Sequence, residues 1–197
     1  IDPDAYNAFD LTQGPLLRAT LLHLSDRAYS FYFNMHHIIS DGWSMGVLTK
    51  EVMAYYQAFV NQEEPDLAPL SIQYKDYAAW QLEQLETDVF NQHKAYWLNS
   101  LQGEIPLLDL PSYTQRPVLK TNNGNRLRTY LEVTQTKEIK SYIQDQGGTL
   151  FMFLLTSLKI LLHKYTQQQD IVIGSPIAGR SHADLEDQIG FYVNTLA

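Results

Sequence analysis

The run Tyr29-Ser30-Phe31-Tyr32-Phe33-Asn34-Met35-His36-His37-Ile38-Ile39-Ser40-Asp41-Gly42-Trp43-Ser44 decides how the rest of the 197-residue chain is read. Its first seven residues alternate, with Tyr29, Phe31, Phe33 and Met35 on one side and Ser30, Tyr32 and Asn34 on the other. Period two is the pattern of a half-buried strand. Carried further, it puts His36 on the polar side and His37 with Phe31, Phe33 and Met35, so His37 is the histidine expected to enter a covered site. Asp41 and Gly42 fall in the turn that leaves the strand. Gly42 admits a positive φ or a close approach of backbone to a ligand. Asp41 is open to two readings: it orients His37, or it holds the turn by pairing with an arginine.

Two adjacent histidines, an aspartate and a glycine suit proton handling near neutral pH. Histidine has the unperturbed pKa closest to 7, and a carboxylate can fix its tautomer. A single histidine at a strand end is ordinarily structural, but packing alone seldom needs the whole pattern. Zinc is the other chemistry available to two His and an Asp. Adjacent strand residues point apart, however, and the chain has neither Cys nor an HExxH run. No metal is expected.

Upstream, Leu16–Leu24 reads as a strand, and Ser25-Asp26-Arg27 is a short polar connection, so Leu16–Leu24 and Ala28–His37 are expected to pair as a hairpin. Arg18 lies on that pair and is one candidate partner for Asp41. Downstream, Met45, Leu48, Val52, Tyr55 or Tyr56, and Phe59 recur at helical spacing, predicting a helix over Trp43–Asn61 with a core-facing stripe. Its N-terminus lies beside Asp41 and Gly42, where its amides and dipole favour negative charge. Ser44 is read as the helix cap, with substrate contact as the alternative.

Further helices are predicted over Ile72–Leu85, Asp88–Leu101 and Thr134–Gln146, the last closed by Gly147-Gly148. Tyr74, Tyr77 and Trp80 share one face of the first of these, as a structural anchor. Thr149 begins a nearly all-apolar helix to Tyr165, expected to be buried. Strands are expected over Asn125–Val133 and Asp170–Ser175. Pro106, Pro111, Pro117 and Gly124 mark 103–124 as a linker.

The composition is that of a globular protein, with 45% hydrophobic and 18% charged residues. A net charge of −8 speaks against nucleic acid as a partner. The absence of cysteine removes disulfides and thiolate nucleophiles and suits the cytoplasm. The most apolar run, Leu150–Leu162, is too short and interrupted to span a membrane. Without an initiator Met, and stopping after an apolar run at Ala197, the chain reads as a piece of a longer protein.

The string HHIISDGWS over residues 36–44 resembles the core HHxxxDG motif of nonribosomal peptide synthetase condensation domains, members of the chloramphenicol acetyltransferase-like superfamily. Phe9-Asp10-Leu11 with Gly14–Arg18 resembles their "FDL…GPLLR" segment, and Tyr74–Trp80 their "YxDYAxW" motif. Tyr96-Trp97 before a Pro-rich stretch is similar to the family as well. Gly174–Arg180 and Ile189–Thr195 resemble two further motifs, the second similar to "GxFVNT". The resemblance covers essentially the whole chain.

The resemblance implies an α/β, chloramphenicol acetyltransferase-like, two-lobed fold that is incomplete at both ends. Residues 1–102 would be the C-terminal part of a first lobe, 103–124 a linker and 125–197 the N-terminal part of a second lobe. It implies amide-bond formation between a carrier-bound acyl or aminoacyl thioester donor and a carrier-bound aminoacyl acceptor. His37 would handle the proton, Asp41 would fix the loop, the Gly42 amide would help hold the oxyanion, and His36 would pack locally. Trp43, Ser44 and Asn194 would face substrate, Asn194 from the tunnel wall. Arg180 joins Arg18, and any arginine outside the chain, as a candidate partner of Asp41.

No cofactor is expected to bind directly; 4'-phosphopantetheine arrives on the upstream and downstream peptidyl carrier proteins, and an adenylation domain is adjacent. The piece alone is expected to be inactive. Among the alternatives, epimerisation domains usually follow HHxxxDG with Ser-Trp, whereas Trp43-Ser44 stands here. Heterocyclisation domains replace the first histidines by aspartates. Coenzyme A-dependent acyltransferases share only HxxxDG, and a non-catalytic carrier-docking scaffold is the alternative of another class. HHIISDGWS leans towards an L-configured donor.

Overall fold

Alternating residues either side of Ser25-Asp26-Arg27 form the hairpin. Strand β1 (Leu17–Ser25) pairs antiparallel with β2 (Ala28–Met35), in the register Leu17 opposite Met35, Ala19 opposite Phe33 and Leu21 opposite Phe31. These cross-strand partners share one face. The computed structural model describes residues 7–111, 118, 119, 121 and 123–197.

The alternation stops where the strand stops. The His36 amide donates to the Leu16 carbonyl at 3.0 Å, and the chain then turns into a 3-10 helix over His37–Ile39. Extrapolating period two therefore misplaces the histidines, because His37 stands in a helical turn.

Ser40 ends that turn and Asp41 opens α1 (Gly42–Asn61). Helix α2 (Tyr74–Gln84) starts at Gln73, whose amide donates to the Asp76 carboxylate at 2.8 Å, and α3 (Asp88–Ser100) follows. In the second half, α4 (Val133–Asp145) and α5 (Leu150–Thr166) pack together, with the Tyr142 and Phe153 rings edge to face. A two-stranded sheet pairs β3 (Ser175–Ile177) with β4 (Asn194–Leu196).

Contacts divide the chain into two units. One holds the described residues up to Ser100 together with Gly174–Ala197; the other is Leu101–Ile173. The described residues of the expected linker, 103–124, fall in the second unit; residues 112–117, 120 and 122, Pro117 among them, lie outside the described residues. The first unit has its core where Tyr77, Leu185 and Tyr192 meet, with Ile72 against them. Val47 and Ala58 are the buried apolar residues of α1, whereas Phe59 at the end of the expected core stripe is 80% exposed.

Three sequence expectations fail for one reason. Residues 125–132 form no strand, and Leu127 is 97% exposed. Residues 170–174 are irregular, with β3 beginning only at Ser175. Helix α5 leaves Leu150, Phe151, Leu154 and Ile160 about half exposed. Strand propensity and hydrophobicity state a need, for a ladder partner or a covering surface, that the described residues leave unmet.

Candidate functional site

The site is assembled around Asp41, which the chain buries to 4% exposure. A carboxylate can be buried only if its oxygens are occupied. Oδ1 accepts the Ser44 amide at 2.9 Å, so Asp41, not Ser44, is the N-cap of α1. Its negative charge also suits the helix N-terminus. Oδ1 further accepts the Ser44 hydroxyl at 2.7 Å and Arg180 Nη2 at 3.3 Å, and Oδ2 accepts the Tyr192 amide at 3.1 Å. Burial pushes the Asp41 carboxyl up. The Ser44 amide and hydroxyl, the Tyr192 amide and the Arg180 charge together outweigh it and hold the group below its ordinary value.

Ser44 is completely buried and joins two distant segments. Its Oγ accepts the Gly190 amide and Arg180 Nη2, each at 3.1 Å. It has one proton to give, with Asp41 at 2.7 Å and the Gly190 carbonyl at 2.9 Å as acceptors. The shorter, charge-assisted bond is the stronger.

Arg180, 139 residues from Asp41 in sequence, is buried with it. Nη1 donates to the Leu185 and Gln188 carbonyls, and the guanidinium lies 4.1 Å over the Tyr192 ring. Among the described residues its buried Nε has no hydrogen-bond partner. Gln188, also buried, donates to the Ile72 and Asp184 carbonyls and accepts the Tyr192 hydroxyl. Burial pushes the Tyr192 hydroxyl up, and the nearby Arg180 charge only partly opposes this.

The histidines are placed differently. His36 Nδ1 accepts the Ile38 amide at 3.0 Å, capping the 3-10 turn, and its ring meets Phe9 edge to face. Arg18 joins this cluster. It lies 4.1 Å over the Phe9 ring and donates to the Asn7 and Ala8 carbonyls, while the arginine on Asp41 is Arg180. His37 is exposed. Among the described residues its ring has no hydrogen bond; it packs edge to face on Phe191, centroids 5.5 Å apart. Asp41 bonds to Ser44, Arg180 and Tyr192, not to His37, so no His–Asp dyad forms.

Gly42 opens α1 without a positive φ, and a Cβ there would meet nothing within 4 Å. The positive φ expected from sequence is therefore not used here. Trp43 is half exposed and donates its indole N–H to the Glu186 carbonyl at 2.8 Å. Asn194 accepts the Thr195 amide at 2.8 Å and lines a depression of about 450 Å³ with Tyr77, Gln81, Arg180 and Tyr192. Among the described residues no group of three or more His, Asp or Glu is arranged to hold a metal ion. No helix of the described chain is long and apolar enough to cross a membrane. Sequence reasoning missed Ser44 as a junction and Gln188 altogether; it read Tyr74 as a structural anchor and Phe191 as part of the Ile189–Thr195 motif, without bringing either to His37. Buried Gln188 breaks no pattern that a linear reading can see.

A condensation-type α/β architecture is what this arrangement shares with solved structures. The chain superposes on the X-domain from teicoplanin biosynthesis with a TM-score of 0.85 and 27% identity, over 98% of this chain and 44% of that one. It superposes on a four-domain nonribosomal peptide synthetase bound to AMP and glycine with a TM-score of 0.79 and 28% identity, over 95% of this chain and 14% of that one. The fold is thus of the chloramphenicol acetyltransferase-like type.

The family model "Condensation domain" matches residues 2–197, and the chain belongs to that family. It is 46% identical to a linear gramicidin synthase of Brevibacillus parabrevis and 43% identical to tyrocidine synthase 3 of the same organism. Those matches take in 98% and 96% of this chain but only 4% and 3% of the relatives' own length.

Proposed function

We propose that this chain serves, within a nonribosomal peptide synthetase, to join a carrier-bound acyl or aminoacyl thioester to the amine of a carrier-bound aminoacyl thioester. The amine attacks the thioester carbonyl, the tetrahedral intermediate expels the donor thiolate, and the amine loses a proton. The observation that carries this reading is the division of labour in HHxxxDG: Asp41 is consumed by the fold, while the His37 imidazole is exposed and, among the described residues, without a hydrogen bond. His37 therefore accepts or positions the amine proton. Gly42 is at the first turn of α1, where helix amides lack intrahelical acceptors, and its N–H supports the oxyanion. Asp41 and Arg180 hold the loop, His36 caps it, and Trp43 and Asn194 contribute to the substrate walls. Ser44 acts through the loop, its hydroxyl being fully engaged.

The thioesters arrive on 4'-phosphopantetheine arms of upstream and downstream carrier proteins, in the cytoplasm, beside an adenylation domain. The solved four-domain synthetase is a relative of matching architecture. In this reading 1–102 and 125–197 derive from successive lobes of a whole domain and 103–124 joins them, with Gly174–Ala197 the part of the second that packs with the first. The second reading is a docking role without chemistry, favoured by the structure of the teicoplanin X-domain in complex with OxyB. The deciding experiment is intact-protein mass of the acceptor carrier after incubation of the complete domain with both loaded carriers. A gain of the donor acyl mass supports condensation. Carrier binding with no gain moves the assignment to docking.

A further inference from the structure

We propose that Phe191 is the positioning residue of His37 and that the Tyr74 hydroxyl holds Phe191 in place, an inference that rests on the role given to His37 above. A general base must be held near its proton, and an imidazole commonly gets that support from a carboxylate. Among the described residues no carboxylate bonds to His37. What touches its ring is Phe191, edge to face at an interplanar angle of 78°.

Phe191 can serve as a fixed wall because the backbone is tied at its carbonyl and at the residues on both sides. The Gly190 amide is bonded to Ser44 Oγ, the Tyr192 amide to Asp41 Oδ2, and the Phe191 carbonyl accepts the Tyr74 hydroxyl at 2.9 Å. Tyr74 comes this close only because residue 190 is glycine; a Cβ there would collide with the Tyr74 ring. Tyr192 turns into the core at 4% exposure, and Phe191, next to it, is left 40% exposed against His37. The buried Asp41–Ser44–Arg180 cluster, which does not bond to His37, thus sets its place through one aromatic contact.

The test compares Phe191→Leu, Phe191→Tyr and Tyr74→Phe in the complete domain, by carrier-to-carrier kinetics and by spectra of 13C-labelled histidine. An aromatic pair of this kind corresponds to about a two- to tenfold effect. We expect Phe191→Leu to lower kcat within that range with KM for the loaded acceptor carrier nearly unchanged, and to shift the His37 ring protons as the ring current is lost. Phe191→Tyr restores both, and Tyr74→Phe moves the His37 signals in the same direction by less. Wild-type kcat in Phe191→Leu overturns the proposal, as does a lowered kcat with unmoved His37 signals. Unmoved signals in Tyr74→Phe overturn the Tyr74 link. Should Phe191→Leu fail to fold, the nuclear Overhauser effect between the His37 and Phe191 rings in the wild type decides: its presence supports the contact and its absence overturns it. A wild-type domain that makes no product contradicts the condensation reading, and the same Overhauser measurement still judges the contact.

Discussion

His37 and Asp41 stand four residues apart and live under opposite conditions. Asp41 is buried, charged and bonded through both oxygens; His37 is exposed and held by one ring. A short motif can therefore contain two functions of different kinds. The aspartate end spends its polar groups on joining α1 to Arg180 and to 190–192, and has none left for chemistry. The histidine end keeps an uncommitted imidazole, and its placement is inherited from that junction.

The comparison breaks most sharply at His37. His37→Ala should lower product formation by about 10²- to 10⁴-fold, the usual contribution of a general base, with the thermal midpoint unchanged. Next comes Asp41→Ala, which strands the Arg180 charge in the interior. Loss of one member of a buried pair costs about 3–5 kcal/mol, read as a fall in denaturant midpoint. Asp41 also predicts an acid limb. Its folded pKa lies below the unfolded value, so on acidification the unfolded chain takes up the proton first. The contribution is complete well above the ordinary carboxylate pKa of about 3.9 and is lost as pH falls through that value towards the lower folded one. A stability–pH curve should show a shallower acid limb in Asp41→Asn than in the wild type.

Ser44→Ala removes a hydroxyl that serves Asp41, Arg180 and Gly190 and leaves their polar atoms short of partners. The expected loss is about 1–3 kcal/mol, measured by chemical denaturation. Gly42→Ala is the smallest change. The added Cβ meets nothing within 4 Å, so stability should stay within about 1 kcal/mol of wild type. Turnover that falls while stability holds would sharpen the role proposed for the Gly42 amide.

Much of this was legible in the sequence. Helix α1 follows from three- and four-residue spacing, α4 is closed by Gly147-Gly148, α5 is marked by its apolar run, and the hairpin follows from alternation either side of Ser25-Asp26-Arg27. HHIISDGWS identified the family that the matched residues 2–197 then established. What stayed hidden was long-range. Arg18 and Arg180 are equivalent candidates on paper; only folding shows that Arg18 covers Phe9 and Arg180 reaches Asp41. Ser44 looked like a cap because serine commonly is one, but the cap is Asp41, and Ser44 Oγ is free to tie α1 to Gly190. The stretch 125–132 has strand residues without a strand, since a ladder needs a neighbour that no local pattern supplies.

The most direct test of the account is a pair of readings on one protein, the complete domain carrying His37→Ala: single-turnover product on the acceptor carrier, and the thermal midpoint. We predict nearly complete loss of product with the wild-type midpoint. Wild-type turnover by the folded variant would contradict the assignment of His37 and, with it, the division of labour between the two ends of the motif.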